Sequence, residues 1–284
     1  MKNYVKIILR GVGQVMLQEN AWTGLLFLIG IFYNSWIFGL GALLGNIIST
    51  LFAKYLKYSK EEIEKGLYGF NGTLVGIAIF YFFGFNFITT IAIIIGAILS
   101  TLIMHIMSKK IPAFSAPFVI STWIIIFGFV FFNLISFVVS PLMQNNFFNL
   151  FSSITTGFGQ VMFQENIITG ILFFIGIIIN SKTSAYYALY GSLLGSLFAV
   201  LISLPLSMIN IGLFGYNAVL CGIALSGKQN NKFLLITTAI ILSVLLNLGL
   251  DKIGVETLTA PFVLAIWIVS FSTNFLQSQL APQT

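Results

Sequence analysis

The sequence predicts an all-α polytopic membrane protein of two inverted repeats, each with five transmembrane helices and one re-entrant pore helix. Three observations carry that expectation. Hydrophobic residues supply 58% of the 284 positions and charged residues only 7%, with a mean hydropathy of +1.02. That is too little charge to keep a water-soluble chain of this size dispersed. The polar landmarks of the first half return in the second in the same order. An odd number of apolar segments separates the two sets, so the second copy starts on the opposite side of the membrane.

The repeat is read directly from the residues. Gly-Gln-Val-Met at 13–16, with Gln18, Glu19, Asn20, Thr23 and Gly24, returns 146 residues later as Gly-Gln-Val-Met at 159–162, with Gln164, Glu165, Asn166, Thr169 and Gly170. At the same offset, Gly-Leu-Tyr-Gly-Phe-Asn at 66–71 becomes Gly-Leu-Phe-Gly-Tyr-Asn at 212–217. Ser-Ala-Pro-Phe at 115–118 pairs with Thr-Ala-Pro-Phe at 259–262, at an offset of 144. Residues 1–144 are therefore taken as the first repeat and 145–284 as the second.

Taken in order, residues 1–10 carry Lys2, Lys6 and Arg10 and read as an anchor on the inner face. Gln14, Gln18, Glu19 and Asn20 then interrupt the apolar core that a cleavable signal needs. This Gln-Glu-Asn segment is too polar to face lipid. It is expected to dip into the membrane and return, which non-spanning backbone does only inside protein or beside a water-filled cavity. Five apolar segments follow, at about 22–36, 38–53, 66–83, 86–107 and 116–140. An uncharged connection at 141–157 leads to the second set, at about 168–181, 184–203, 212–227, 232–250 and 260–275. The runs 87–104 and 116–139 reach the roughly 18–20 residues a helix needs to cross a bilayer. Glycines four apart, at Gly41/Gly45, Gly72/Gly76 and Gly191/Gly195, suit close helix packing.

With the amino terminus inside, these crossings put twelve of the thirteen basic residues on the cytoplasmic face and only Lys252 outside. That is the bias expected of a cytoplasmic-membrane protein with both termini cytoplasmic. The net charge of +6 thus describes topology, not a nucleic-acid surface.

The duplicated polar residues are the candidates for chemistry. Gln14 and Gln160 either cap short helices and tie the halves together, or face a solute; the duplication favours the solute. Glu19 and Glu165 read as structural supports. Asn71 and Asn217 are expected to hydrogen-bond across the core. Phe70 and Tyr216 occupy matching positions, with Leu74 and Leu220 one helical turn on and on the same face. Ser115 and Thr259 each stand two residues before a proline, Pro117 and Pro261. Proline at a helix start leaves the preceding chain non-helical, with free carbonyls. A hydroxyl beside such carbonyls offers acceptors at one level of a membrane core.

Enzyme chemistry finds no footing. The lone Cys221 reads as a packing residue, and the lone His105 as an interfacial one. Gly11-Val12-Gly13 lacks the rest of a dinucleotide fingerprint, and no Walker loop is present. No cofactor or metal is expected.

The three landmarks, in this order and twice, resemble the urea transporter family over about residues 5–271. The resemblance implies a passive urea channel and a homotrimer with one pore per protomer, each pore between two inverted halves. It also implies aromatic-walled slots flanking a middle position, with oxygens that accept the N–H groups of urea. Carried over, Gln14, Val15, Gln160 and Val161 line the slots, and Leu17 and Phe163 stand where a slot aromatic can. Phe70 and Tyr216 form the opposing wall, with Tyr68 and Phe214 as the alternative. Leu74 and Leu220 lie beside the middle site, marked by Ser115 and Thr259. Leu17, Ser115 and Tyr216 depart from the family pattern and bear on substrate range. The competing readings are an ion-coupled symporter using Glu19 and Glu165, and a channel for ammonia or small amides.

Overall fold

A computed structural model describes residues 2–138, 147–227 and 232–280, and these form helices and connections with no strand among them. The first seven helices are α1 (Lys2–Gln14), α2 (Ala21–Asn34), α3 (Trp36–Tyr55), α4 (Lys60–Glu64), α5 (Gly69–Phe83), α6 (Phe87–Met107) and α7 (Ala116–Phe131). Seven more repeat the order: α8 (Leu150–Gln160), α9 (Ile167–Asn180), α10 (Lys182–Leu201), α11 (Leu206–Asn210), α12 (Tyr216–Leu225), α13 (Lys232–Lys252) and α14 (Ala260–Leu280).

Length sorts these helices. α3, α6, α10 and α13 are each 20 or 21 residues and apolar enough to cross a membrane. α2, α5, α7, α9 and α12 have 14, 15, 16, 14 and 10 residues, short of the roughly 20 a straight crossing needs. α1 and α8 have 13 and 11, or about 20 and 17 Å at a rise of 1.5 Å per residue.

Two boundaries differ from the sequence reading. The apolar run expected to be helical to residue 140 ends its helix at Phe131, and Asn133 takes a left-handed φ of +50°. Hydropathy marks what lipid or protein tolerates, not where backbone stops turning, so it missed this end. The expected connection at 141–157 contains the start of α8 at Leu150. The boundary expected between residues 144 and 145 lies outside the described residues.

The polar clusters supply the helix starts. The Asn20 side chain accepts from the backbone N–H groups of Trp22 and Thr23, at 2.8 and 3.2 Å, and so opens α2. Asn166 does the same for α9, through Ile168 and Thr169 at 2.9 and 3.2 Å. Orphan donors of a first helical turn are thereby satisfied without water. Asn71 Oδ1 accepts from Phe118 N–H at 3.0 Å and Asn217 Oδ1 from Phe262 N–H at 3.2 Å. Each asparagine thus caps, from across the core, a helix whose first turn holds a proline.

Glycine sets the closest packing. A Cβ on Gly45 would collide with the Gly72 carbonyl, and one on Gly76 with the Gly41 carbonyl. These collisions bring α3 and α5 backbone to backbone, as small residues do inside membranes. In the second half, Gly191 of α10 meets the Ala218 carbonyl of α12 in the same way.

Bonds between the halves are reciprocal. Thr23 donates to the Gly176 carbonyl at 2.7 Å, and Thr169 to the Gly30 carbonyl at 2.9 Å. Asn34 donates to Gln164 Oε1 at 2.9 Å, and Asn180 to Gln18 Oε1 at 2.8 Å. Trp123 Nε1 donates to the Glu256 carbonyl at 2.7 Å, and Trp267 Nε1 to the Pro112 carbonyl at 2.9 Å. Phe27 meets its own repeat counterpart Phe173, ring centroids 4.8 Å apart.

Candidate functional site

The site is assembled from breaks in the helices. α1 and α8 stop at Gln14 and Gln160, and the chain then turns through Leu17 and Phe163, whose φ angles are +58° and +61°. Gln18 N–H returns to the Gly13 carbonyl and Gln164 N–H to the Gly159 carbonyl, both at 3.1 Å, closing the two turns. A second left-handed pair, Phe114 at +45° and Leu258 at +46°, precedes Ser115 and Thr259. Left-handed backbone costs a non-glycine residue about 1–2 kcal/mol. Here that strain falls at matching positions of both halves, as it also does at Lys57 and Ser203.

The last two of these breaks meet. Ser115 Oγ and Thr259 Oγ1 are 2.7 Å apart, in residues only 4% and 2% exposed. Phe70, Leu74, Tyr216 and Leu220 are buried on α5 and α12. Val15 and Val161 are buried in the turns after α1 and α8.

A cavity of about 360 Å³ reaches Thr259 but not Ser115 of the hydroxyl pair. Gln160, Val161, Phe163, Tyr216 and Thr259 line it, all of them candidates from the sequence. Gln14, Val15, Leu17, Phe70, Leu74, Ser115 and Leu220 are not part of that lining. Of the two alternative aromatics, Phe214 packs in a separate cluster with Ala199, Ile209 and Val244. Tyr68 donates to Glu62 at 2.8 Å and lies 3.3 Å from His105 Nδ1.

The walls are aromatic. Phe163 sits 5.1 Å from Tyr81, 5.8 Å from Phe82 and 6.4 Å from Phe118 between ring centroids. Tyr216 Oη donates to the Leu258 carbonyl at 2.5 Å and is 3.0 Å from Thr257 Oγ1. Phe70, its repeat partner, has no hydroxyl, so the two halves differ in one carbonyl already engaged.

The amides differ as well. Gln14 Nε2 donates to the Lys65 carbonyl at 3.1 Å. Gln160 Nε2 is buried with no hydrogen-bond partner in the structure. Gln18, Gln164, Asn20 and Asn166 take the structural roles described above, and of the two remaining glutamines only Gln160 lines the cavity.

Sequence reasoning missed Tyr81, Phe82, Phe137, Thr257 and Glu256, which are also part of the lining. Position 146 residues after Tyr81 is Gly227, and position 144 before Glu256 is Pro112. A search built on duplication is blind where the copies diverge. The carboxylates at the edge have distinct surroundings. Glu165 accepts from Tyr81 Oη at 3.1 Å. Glu256 keeps part of its surface in solvent, yet burial of its carboxyl, and then the charge of Asp251, raise its pKa above the ordinary value.

Residues 5–274 match the family model for Urea transporter. The chain belongs to the urea transporter family. Among its relatives, Urea transporter 1 of Mus musculus is 31% identical over 238 residues, covering 78% of this chain and 62% of its own. Urea transporter 1 of Ovis aries is 31% identical over 243 residues, covering 79% of this chain and 63% of its own. The chain thus spans less than two thirds of the length of these relatives. Membership agrees with the all-helical architecture and its four apolar helices of membrane-crossing length.

Proposed function

We propose that the protein conducts urea passively across the cytoplasmic membrane, along a path passing Ser115 and Thr259 at the seam of two inverted repeats. The observation that carries this reading is the meeting of those two hydroxyls, one from each half, beside an aromatic-walled cavity. Reciprocal bonding of equivalent residues is the pattern a two-fold relation produces, and it supports the inverted arrangement. The left-handed turns at Leu17 and Phe163 directly after α1 and α8 support their return without crossing. Ten crossings, both termini inside, and a homotrimer with one path per protomer complete the reading.

The chemistry suits a small, flat, uncharged amide. Phe163 and Tyr216 both line the cavity, and aromatic ring faces accept a planar molecule. Carbonyl and hydroxyl oxygens take its N–H groups, each bond contributing about 0.5–1.5 kcal/mol net. Gln160 lines the cavity and its buried Nε2 has no partner, which makes it the candidate donor for the solute's carbonyl. Weak contacts in sequence replace lost hydration without trapping the solute. An ion stripped of water at the buried Ser115–Thr259 pair would lose hydration worth far more than such contacts return.

Stopped-flow light scattering of proteoliposomes facing a urea gradient tests this. Urea permeability well above that of empty liposomes is expected, unchanged when sodium or proton gradients are imposed or collapsed. Flux that follows either gradient would replace the passive reading by a symporter using Glu19 and Glu165. Faster passage of methylammonium or acetamide than of urea would move the substrate class to ammonia or other amides.

A further inference from the structure

We propose that Phe137, on the segment leaving α7, is a specificity-determining wall of the Phe163–Tyr216 cavity that rejects N-substituted ureas. This rests on the urea reading above and adds a residue to it. The apolar run of this region continues beyond Phe131, but the chain there stops being helical and residues 134–138 run free of regular structure. Val138 N–H donates to the Phe82 carbonyl at 2.8 Å. That acceptor is in the last turn of α5, where a helix leaves carbonyls without an internal partner. The bond tethers the segment to α5.

Ring contacts then fix the side chain. The Phe137 centroid is 4.9 Å from Phe83 and 5.9 Å from Phe82, standing at 88° to the latter. Phe82 meets Phe163 at 5.8 Å and 79°. Edge-to-face contacts are the preferred geometry of aromatic pairs, so Phe137, Phe82 and Phe163 form one braced row. Phe137 and Val138 both line the cavity with Phe163 and Tyr216. A braced ring at that place sets the gap a solute must pass. Its counterpart at an offset of 144 is Ala281, which has no ring, so the repeat supplies no second copy of this wall.

The readout is a permeability ratio, which a merely structural residue would not move. In proteoliposomes, N-methylurea and urea permeabilities are measured for wild type, Phe137→Ala, Phe137→Leu, Phe137→Tyr and Phe132→Ala. One methyl group in an apolar pocket discriminates by about tenfold or more. The N-methylurea/urea ratio is therefore expected to rise about tenfold in Phe137→Ala and less in Phe137→Leu. Phe137→Tyr, and Phe132→Ala at an exposed ring outside the lining, should keep the wild-type ratio. Should Phe137→Ala fail to fold, Phe137→Leu decides. An unchanged ratio in a folded variant that still conducts urea overturns the proposal alone. Absence of urea flux in wild type would instead overturn the functional reading beneath it.

Discussion

Ser115 Oγ and Thr259 Oγ1 lie 2.7 Å apart although 144 residues separate them in the chain. Each hydroxyl stands just before a helix whose start holds a proline and follows a left-handed residue, Phe114 or Leu258. Each of those helices is capped from across the core by an asparagine, Asn71 or Asn217. The pair is thus held from both sides by equivalent parts of the two halves.

Ser115→Ala combined with Thr259→Val removes both hydroxyls at nearly constant volume. Losing one solute hydrogen bond at the proposed middle site, about 1 kcal/mol, slows urea flux roughly fivefold. Stopped-flow rates on protein that remains monodisperse check this. Flux within error of wild type would remove the pair from the path.

Gly45→Ala should destroy the fold, because its methyl meets the Gly72 carbonyl and not a side chain able to swing away. Gly128→Ala, with nothing within 4 Å of the new Cβ, is the matched control. Size-exclusion chromatography in detergent should show loss of the monodisperse peak for the first and retention for the second.

Thr23→Val and Thr169→Val remove the two reciprocal bonds between α2 and α9. Each should destabilise by about 1 kcal/mol, and by similar amounts, since the two sites are equivalent. Thermal melts in detergent measure the pair. A large shift for one and none for the other would deny the equivalence.

Glu256→Gln tests the edge of the cavity through pH. Its folded pKa is raised by burial, with Asp251 adding to the effect. Its contribution to stability is therefore full below the unfolded value, about 4.3, and is lost as pH rises through the folded value. The variant carries no such loss, so its Tm relative to wild type should be higher at pH 7 than at pH 4. Equal differences at both pH values would contradict the assignment.

Much of this architecture was legible because the chain repeats itself. Matching landmarks marked the segments that return, the asparagines Asn71 and Asn217 that bond across the core, and the paired hydroxyls of Ser115 and Thr259; the turn residues, the caps and the 2.7 Å contact came only with the structure. Hydropathy located the long helices but not their ends, as α7 shows, since apolar residues continue past the point where backbone leaves the helix. The cavity rim was illegible for a different reason. Tyr81, Phe137 and Glu256 have no matching residue in the other half, and in a chain with 30 Phe no ring stands out by type. Their placement comes from tertiary contacts that join α5, the segment after α7 and the connection before α14.

The most direct measurement labels the proposed path at Thr259. Thr259→Cys, made in a Cys221→Ala background, is treated in proteoliposomes with a small methanethiosulfonate reagent, and labelling is read by mass spectrometry beside urea flux. The path described above predicts that Cys at 259 is labelled and that urea flux falls to that of empty liposomes. Complete labelling with undiminished flux, or a conducting protein whose residue 259 stays beyond the reagent's reach, would contradict it.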